Sequence, residues 1–204
     1  DGENRISTRI KRIENRRIDL GKITAVSRIV NCLQSPTCEK TIHGESRSDS
    51  FLKDLQNIDN GKPYQAWITN LAGGLTSGFF CLLFGGSWME FYVAFAIGVL
   101  VSFGLKYINR LPVNNFLSSA LASALIVILT KSIDYYVPYI RLDNIIIGGI
   151  MILVPGLSIT NAIRDTMSGD LVSGTARAVE AFIITVGIVA GSGSMLKLWA
   201  LWGH

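Results

Sequence analysis

The feature that most constrains this chain is a set of long runs without a single charged side chain. Pro63 to Met89 extends 27 residues without a charge, Leu111 to Thr130 and Asn144 to Ile163 extend 20 each, and Phe91 to Leu105 and Ala181 to Leu196 extend 15 and 16. A helix rises about 1.5 Å per residue, so about 20 mostly apolar residues cross a hydrocarbon layer of about 30 Å. Trp88 and Tyr107 flank the second run as side chains suited to a headgroup layer. The last run is lengthened by Ala178, Val179, Leu198 and Trp199 once Glu180 and Lys197 lie near its two ends. Five membrane-spanning helices are therefore expected within residues 64–204, and an odd number of spans puts the two ends of the chain on opposite sides.

Before Pro63 the chain is a different material. Residues 1–63 hold 12 Lys/Arg and 9 Asp/Glu, whereas residues 64–204 hold 7 and 6. An apolar content of 49% excludes an intrinsically disordered chain, and three cysteines exclude a disulfide-stapled secreted domain. The expected fold class is an α-helical membrane protein, a five-span transmembrane bundle (64–204) preceded by a partial cytoplasmic α/β domain (1–63). Basic residues near span ends stay preferentially in the cytoplasm. Lys53, Lys62, Lys106, Arg110, Arg164 and Arg177 fall on one side and Lys131, Arg141 and Lys197 on the other. That bias puts the N-terminal end inside a cell or inner membrane and the C-terminal end outside.

Within the polar segment, Ile6, Thr8 and Ile10 alternate with Arg5, Ser7, Arg9 and Lys11, the period of a strand with one wet face. Apolar residues from Ile18 to Leu33 predict an amphipathic helix ending before Pro36. A second short helix is expected from Asp49 as its cap to Ile58, stopped by Asn60-Gly61-Lys62-Pro63. One strand and two short helices bury little by themselves, so a preceding N-terminal portion or a partner is expected to complete this domain. The basic residues between Arg9 and Arg17 read as a solvated cytoplasmic face rather than a nucleic-acid site. Cys32 and Cys38, with only His43 nearby, do not form a zinc pattern, and Cys81 reads as a small buried apolar residue. No metal or other cofactor is expected. Gly74/Gly78, Gly98/Ser102, Ala120/Ala124 and Gly187/Gly191 set small residues four apart, the spacing that lets helices approach closely in lipid.

The residues that carry chemistry lie between Val154 and Ala181. Pro155-Gly156 falls near the middle of the fourth expected span, where proline removes an amide donor and frees backbone groups that need another partner in a dry environment. Such a break can be an architectural kink or an ion or solute site. Asn161, Arg164, Asp165, Asp170, Arg177 and Glu180 follow. A solute with both a carboxylate and an ammonium needs cation and anion close together, and this set supplies both. The plainer reading makes Arg177 and Glu180 a local ion pair at a helix start and Arg164-Asp165 loop charges at the headgroups. Glu180, deepest in the expected span, is the candidate for exchanging a proton.

The run PGLSITNAIRDTMSGDLVSGTARAVEA, residues 155–181, resembles the signature of the threonine/serine exporter family, with its proline-glycine pair, Asn-Ala-Ile-Arg-Asp stretch, Gly-Asp and Arg-x-x-Glu-Ala. DGENRISTRIKRI resembles the strand closing that family's cytoplasmic domain, and LLFGGSWMEF its first membrane turn. The resemblance implies export of small amino acids driven by an ion gradient, or, as in split two-component relatives, export of a dicarboxylate such as succinate. It also implies a small five-span membrane subunit as partner, within a larger oligomer. On both lines together, Arg164 or Arg177 and the break at Pro155-Gly156 draw the cargo carboxylate. Asp165, Asp170 or Glu180 then attracts the ammonium or carries a coupling proton, and Asn161 orients polar groups.

Two other classes stand beside this reading. An enzyme needs a nucleophile and base, yet His43 and His204 lie outside the spans and Ser192 and Ser194 have no evident base. A non-transporting assembly subunit is the other, with the cargo site held by the partner. No Gly-rich stretch ends in Gly-Lys-Ser/Thr, so no nucleotide loop supplies energy.

Overall fold

A computed structural model describes residues 19–34, 47–60, 65–108, 113–134 and 140–202. The chain divides into two compact units, Asp1–Pro63 and Tyr64–His204.

In the first unit, α1 spans Leu20–Gln34 and α2 spans Arg47–Asp59. Asp19 caps α1, its Oδ1 accepting from the Lys22 amide at 3.1 Å. The Lys22 ammonium then reaches the far end of α2, donating to the Asp59 carbonyl at 2.7 Å and its carboxylate at 3.3 Å, where a cation also favours the negative end of the helix. α2 begins two residues before Asp49, so Asp49 lies inside the helix and does not cap it. The α/β character expected of this unit finds no support: among the described residues it is helical without a strand. The alternating segment 5–11 lies outside the described residues.

The second unit consists of α3 (Ala66–Leu83), α4 (Trp88–Ile108), α5 (Asn115–Asp134), α6 (Leu142–Ile150), α7 (Gly156–Met167) and α8 (Leu171–Trp202). Side chains of α3 to α6 meet in a core of Cys81, Ala94, Ile97, Val101, Ile126 and Ile145, all fully buried. Outward, α3, α4 and α5 present Phe79, Leu83, Tyr92, Leu100, Phe103 and Leu121, exposed apolar residues suited to acyl chains.

Small residues hold two helix pairs at close range. A Cβ at Gly74 of α3 would lie 2.9 Å from the Phe95 carbonyl of α4, and one at Gly98 of α4 would lie 2.9 Å from the Gly73 carbonyl of α3. On α8, a Cβ at Gly187 would lie 2.6 Å from the Phe116 carbonyl of α5, and one at Gly191 would run into the Ala120 carbonyl. The small-residue spacing seen in the sequence is thus spent on contacts inside this chain. Hydroxyls follow the same economy: Thr76, Thr130, Thr185 and Ser192 each donate to the carbonyl four residues earlier, at 2.8 to 2.9 Å.

The five-span expectation is corrected at its fourth member. Among the described residues four helices are long and apolar enough to cross a membrane: Ala66–Leu83, Trp88–Ile108, Asn115–Asp134 and Leu171–Leu201. The fourth expected run is cut into α6, of 9 residues, and α7, of 12, and the shorter of these rises only about 14 Å. α6 packs against α3, α4 and α5, whereas α7 rests on α8. α8 begins ten residues before the charge-free run at Ala181, so Arg177 lies inside the helix as well as Glu180.

Gly191→Val should lower the thermal unfolding midpoint of the detergent-solubilised full protein, because overpacking at a closed contact costs about 1–3 kcal/mol. Gly193→Ala, on the same helix but with nothing within 4 Å of the added methyl, should leave the midpoint unchanged.

Candidate functional site

The interruption between α6 and α7 is built from local hydrogen bonds. α6 tightens at its end, with the Ile152 amide donating to Gly149 at 3.3 Å and the Leu153 amide to Ile150 at 2.8 Å. Pro155, without an amide hydrogen, sits at φ −79° and ψ 58°. The Gly156 amide closes back on the Val154 carbonyl at 2.8 Å, which makes the turn an inverse γ-turn. Among the described residues no backbone amide reaches the carbonyls of Met151, Ile152 and Leu153. Gly156 opens α7 and is exposed, with open space where a side chain would stand.

At 100° per residue, Ser158, Thr160, Asn161, Arg164 and Asp165 fall on one flank of α7, with Ile159, Ile163 and Met167 on the other. The buried Ala162 marks the side that meets α8. Gly174 of α8 lets the helices close there, since its Cβ would lie 3.1 Å from the Ala162 carbonyl. Asp165 and Asn161 are half-buried beside that seam, whereas Thr160 and Arg164 stand exposed.

The charge cluster resolves into separate roles. Asp165 receives the Arg177 guanidinium at 3.1 Å and the Ser173 hydroxyl at 3.1 Å, joining α7 to α8 through one carboxylate. Asp170 belongs to the turn between them. Ser168 ends α7, Gly169 adopts φ +88°, and the Gly169 and Asp170 amides donate back to Thr166 and Asp165 at 3.1 and 3.0 Å, a Schellman closure that favours glycine. Asp170 then caps α8, its Oδ1 accepting from the Ser173 amide at 3.1 Å. Arg164 has no ion-pair partner among the described residues. Glu180 faces another way: its Oε1 accepts from Asn115 of α5 at 3.3 Å.

Two consequences follow for the single site expected from sequence. Arg177 pairs across the helices with Asp165 rather than along its own helix with Glu180, because Glu180 faces α5. The break and the ion pair are also apart, for nine residues of α7 separate Gly156 from Asp165, about 14 Å along the axis. A solute the size of an amino acid cannot touch both at once. α8, at 32 residues, is about 48 Å long and overruns a 30 Å hydrocarbon layer. With Ala181–Leu196 centred in that layer, Arg177 and Asp165 lie at its edge and the break lies deeper.

Sequence reading missed a second polar set. Glu90, 3% exposed, is the buried ionisable side chain among the described residues of the second unit's helices apart from the Cys81 thiol. Its Oε2 accepts from the Ser87 amide at 3.0 Å while the Ser87 hydroxyl accepts from the Glu90 amide at 3.3 Å. The Arg141 amide donates to Oε1 at 2.9 Å and the Asn144 amide group to Oε2 at 3.2 Å. The Arg141 side chain adds a 2.6 Å bond to the Gly85 carbonyl and lies 3.9 Å from Oε1. The Ser87-x-x-Glu90 spacing of a capping box was the available signal; the tie to α6 was not, because it joins residues more than fifty apart. Elsewhere, Lys106 of α4 donates to the Ala66 carbonyl and the Asn70 side chain of α3 at 2.7 and 2.6 Å.

Comparison with known proteins supplies a family. Residues 1–199 match the family model described as "Putative threonine/serine exporter". The "Threonine/serine exporter" of Corynebacterium glutamicum is 23% identical over 88% of this chain and 36% of its own length. The "Probable succinate transporter subunit YjjP" of Escherichia coli K12 is 28% identical over 69% of this chain and 55% of its own length. The protein of the same name from Klebsiella aerogenes is 26% identical over the whole of this chain and 75% of its own. The chain thus spans about a third of the first relative and about half of the second. No solved structure matches it.

A cap at Asp170 predicts a specific pattern of tolerance. Asp170→Ser should keep thermal stability within error, and Asp170→Ala should cost about 1 kcal/mol, the usual loss when an N-cap side chain is removed, read from thermal unfolding in detergent. A direct cargo contact would instead leave both variants stable and both impaired in cargo binding.

Proposed function

This chain belongs to the threonine/serine exporter family, and on that premise we propose that it is a subunit of a secondary transporter that exports threonine, serine or similar small polar metabolites. The polar flank of α7 carries the reading. An interrupted helix at membrane depth exposes Thr160 and Arg164 and half-exposes Asn161 and Asp165, and such groups are costly against acyl chains unless they line water, cargo or protein. In this scheme α6 and α7 together make one broken crossing. That gives five crossings in all, with the N-terminal end in the cytoplasm and the C-terminal end outside.

Arg164 is the cation available to a cargo carboxylate, since Arg177 is already matched by Asp165. Asn161 orients the cargo's polar groups. The Asp165–Arg177 pair positions α7 on α8 and can open to receive an ammonium and a carboxylate in exchange for each other. Pro155 and Gly156 expose the carbonyl-rich turn deeper in the path, as a second station. Asp170 acts through the turn it caps. Glu180, held by Asn115, carries the coupling proton, with the ion gradient as the energy source. A smaller membrane subunit of the same family supplies the other wall of the path, within a larger oligomer.

A dicarboxylate reading has its own support, since the succinate-transporter relative from Klebsiella aerogenes aligns with the whole of this chain. Two carboxylates call for two cations, and the match of Arg177 with Asp165 leaves one on the α7 flank, which favours a cargo with a single carboxylate.

Efflux of labelled serine, threonine and succinate from cells carrying the full transporter tests this. Arg164→Gln should reduce efflux of the true cargo at least about tenfold, equivalent to about 1.4 kcal/mol of lost interaction, with normal membrane insertion. Undiminished efflux by inserted Arg164→Gln and Asp165→Asn variants would remove the α7 flank from the path.

A further inference from the structure

Glu90 has no part in the scheme above, yet its buried carboxylate accepts hydrogen bonds from three donors. Its carboxylate gathers two donors from the α6 side, the Arg141 amide and the Asn144 side chain, and one from the α3–α4 turn, the Ser87 amide. Bonds to an ionised acceptor are roughly twice as strong as neutral ones, and the carboxylate also stands in the first turn of α4, where the helix dipole favours a negative charge. The titratable groups facing it are Arg141, at the entry to α6, and the Cys81 thiol of α3.

The element held this way is short and ends at the break. α6 ends after nine residues in the turn before Pro155, so no continuous helix ties its inner end to α7. Its backbone comes close to α3 at Gly148, where a Cβ would lie 2.5 Å from the Ser77 carbonyl and 3.0 Å from the Cβ of Cys81, and its Ile145 is buried in the core beside Cys81. Sliding of packed helices is a common way to open a closed path. One end of α6 is therefore latched and its other end is broken.

We propose that Glu90 is a positioning residue that latches α6 to the α3–α4 turn, and that its release lets α6 slide against α3 and opens the transport path at the end opposite the Asp165–Arg177 pair. This rests on the export reading, and it adds a moving part and a closed end to it. Cys81 is a built-in reporter. It is free and fully buried, its carbonyl accepts from the Gly86 amide of the turn at 2.9 Å, and it lies under Gly148 of α6. It becomes reachable when α6 moves away.

The test uses the full transporter in proteoliposomes with every cysteine except Cys81 replaced by serine, and a membrane-impermeant maleimide as probe. Without cargo, Glu90→Ala should label about tenfold faster than the parent, the factor given by about 1.4 kcal/mol of lost closure. Asn144→Ala, which removes one donor and keeps the capping box, should label at an intermediate rate, and it serves as the test if Glu90→Ala fails to insert. In the parent, saturating cargo should change the labelling rate, and Glu90→Ala should abolish that response. A purely structural cap would give a rate blind to cargo. If the parent exports but labels at the same rate with and without cargo, or if the inserted variants label as slowly as the parent, the latch is wrong and the export reading survives. If both variants label faster while the parent moves none of serine, threonine or succinate, the latch holds and the export reading fails.

Discussion

In hydrocarbon every backbone amide and carbonyl must find its partner within the protein, and the rest of this structure depends on that demand. It forces the charge-free runs into helices, turns the hydroxyls of Thr76, Thr130, Thr185 and Ser192 back onto their own helix carbonyls, and makes any interruption of a helix conspicuous. With lipid as apolar as leucine, helices are then joined by fit rather than by exclusion from water. Gly74, Gly98, Gly187 and Gly191 supply that fit by bringing one backbone against another. Against this background the turn from Met151 to Pro155 stands out, with carbonyls that no backbone amide reaches among the described residues.

The polar groups of the membrane unit then sort by what they hold. Asp165, Arg177 and Ser173 fasten α7 to α8, Glu90 fastens α6 to the α3–α4 turn, and Lys106 fastens the end of α4 to the start of α3. The interrupted segment is thus tied by polar contacts at its two outer ends, while Ile150 and Leu153 near its middle pack against the core.

Part of this was legible in advance. Four of the helices, the break at Pro155 and the amphipathic helix of the first unit follow from charge-free length, from the missing amide of proline and from apolar spacing. The site was less so. The sequence placed Pro155, Arg164, Asp165, Asp170, Arg177 and Glu180 in one array because they are close along the chain. In space Asp170 is turned to capping α8, Glu180 to α5, and the break lies about 14 Å of helix away from Asp165. Glu90 was passed over as a charge that merely divided two apolar runs, although Ser87 three residues before it was a visible cap.

Length, charge and local chemistry along the chain determined that this is a multi-pass helical membrane protein with one helix disturbed at Pro155, because those properties act within a few residues and do not depend on neighbours. Which charges meet was decided only by tertiary structure. Arg177 could have paired with Glu180 or Asp165, and Glu90 with any donor or none. The choice was made by the Gly169 turn that folds α8 back along α7, and by the close helix contacts that bring Arg141 and Asn144 to Glu90 across more than fifty residues of chain.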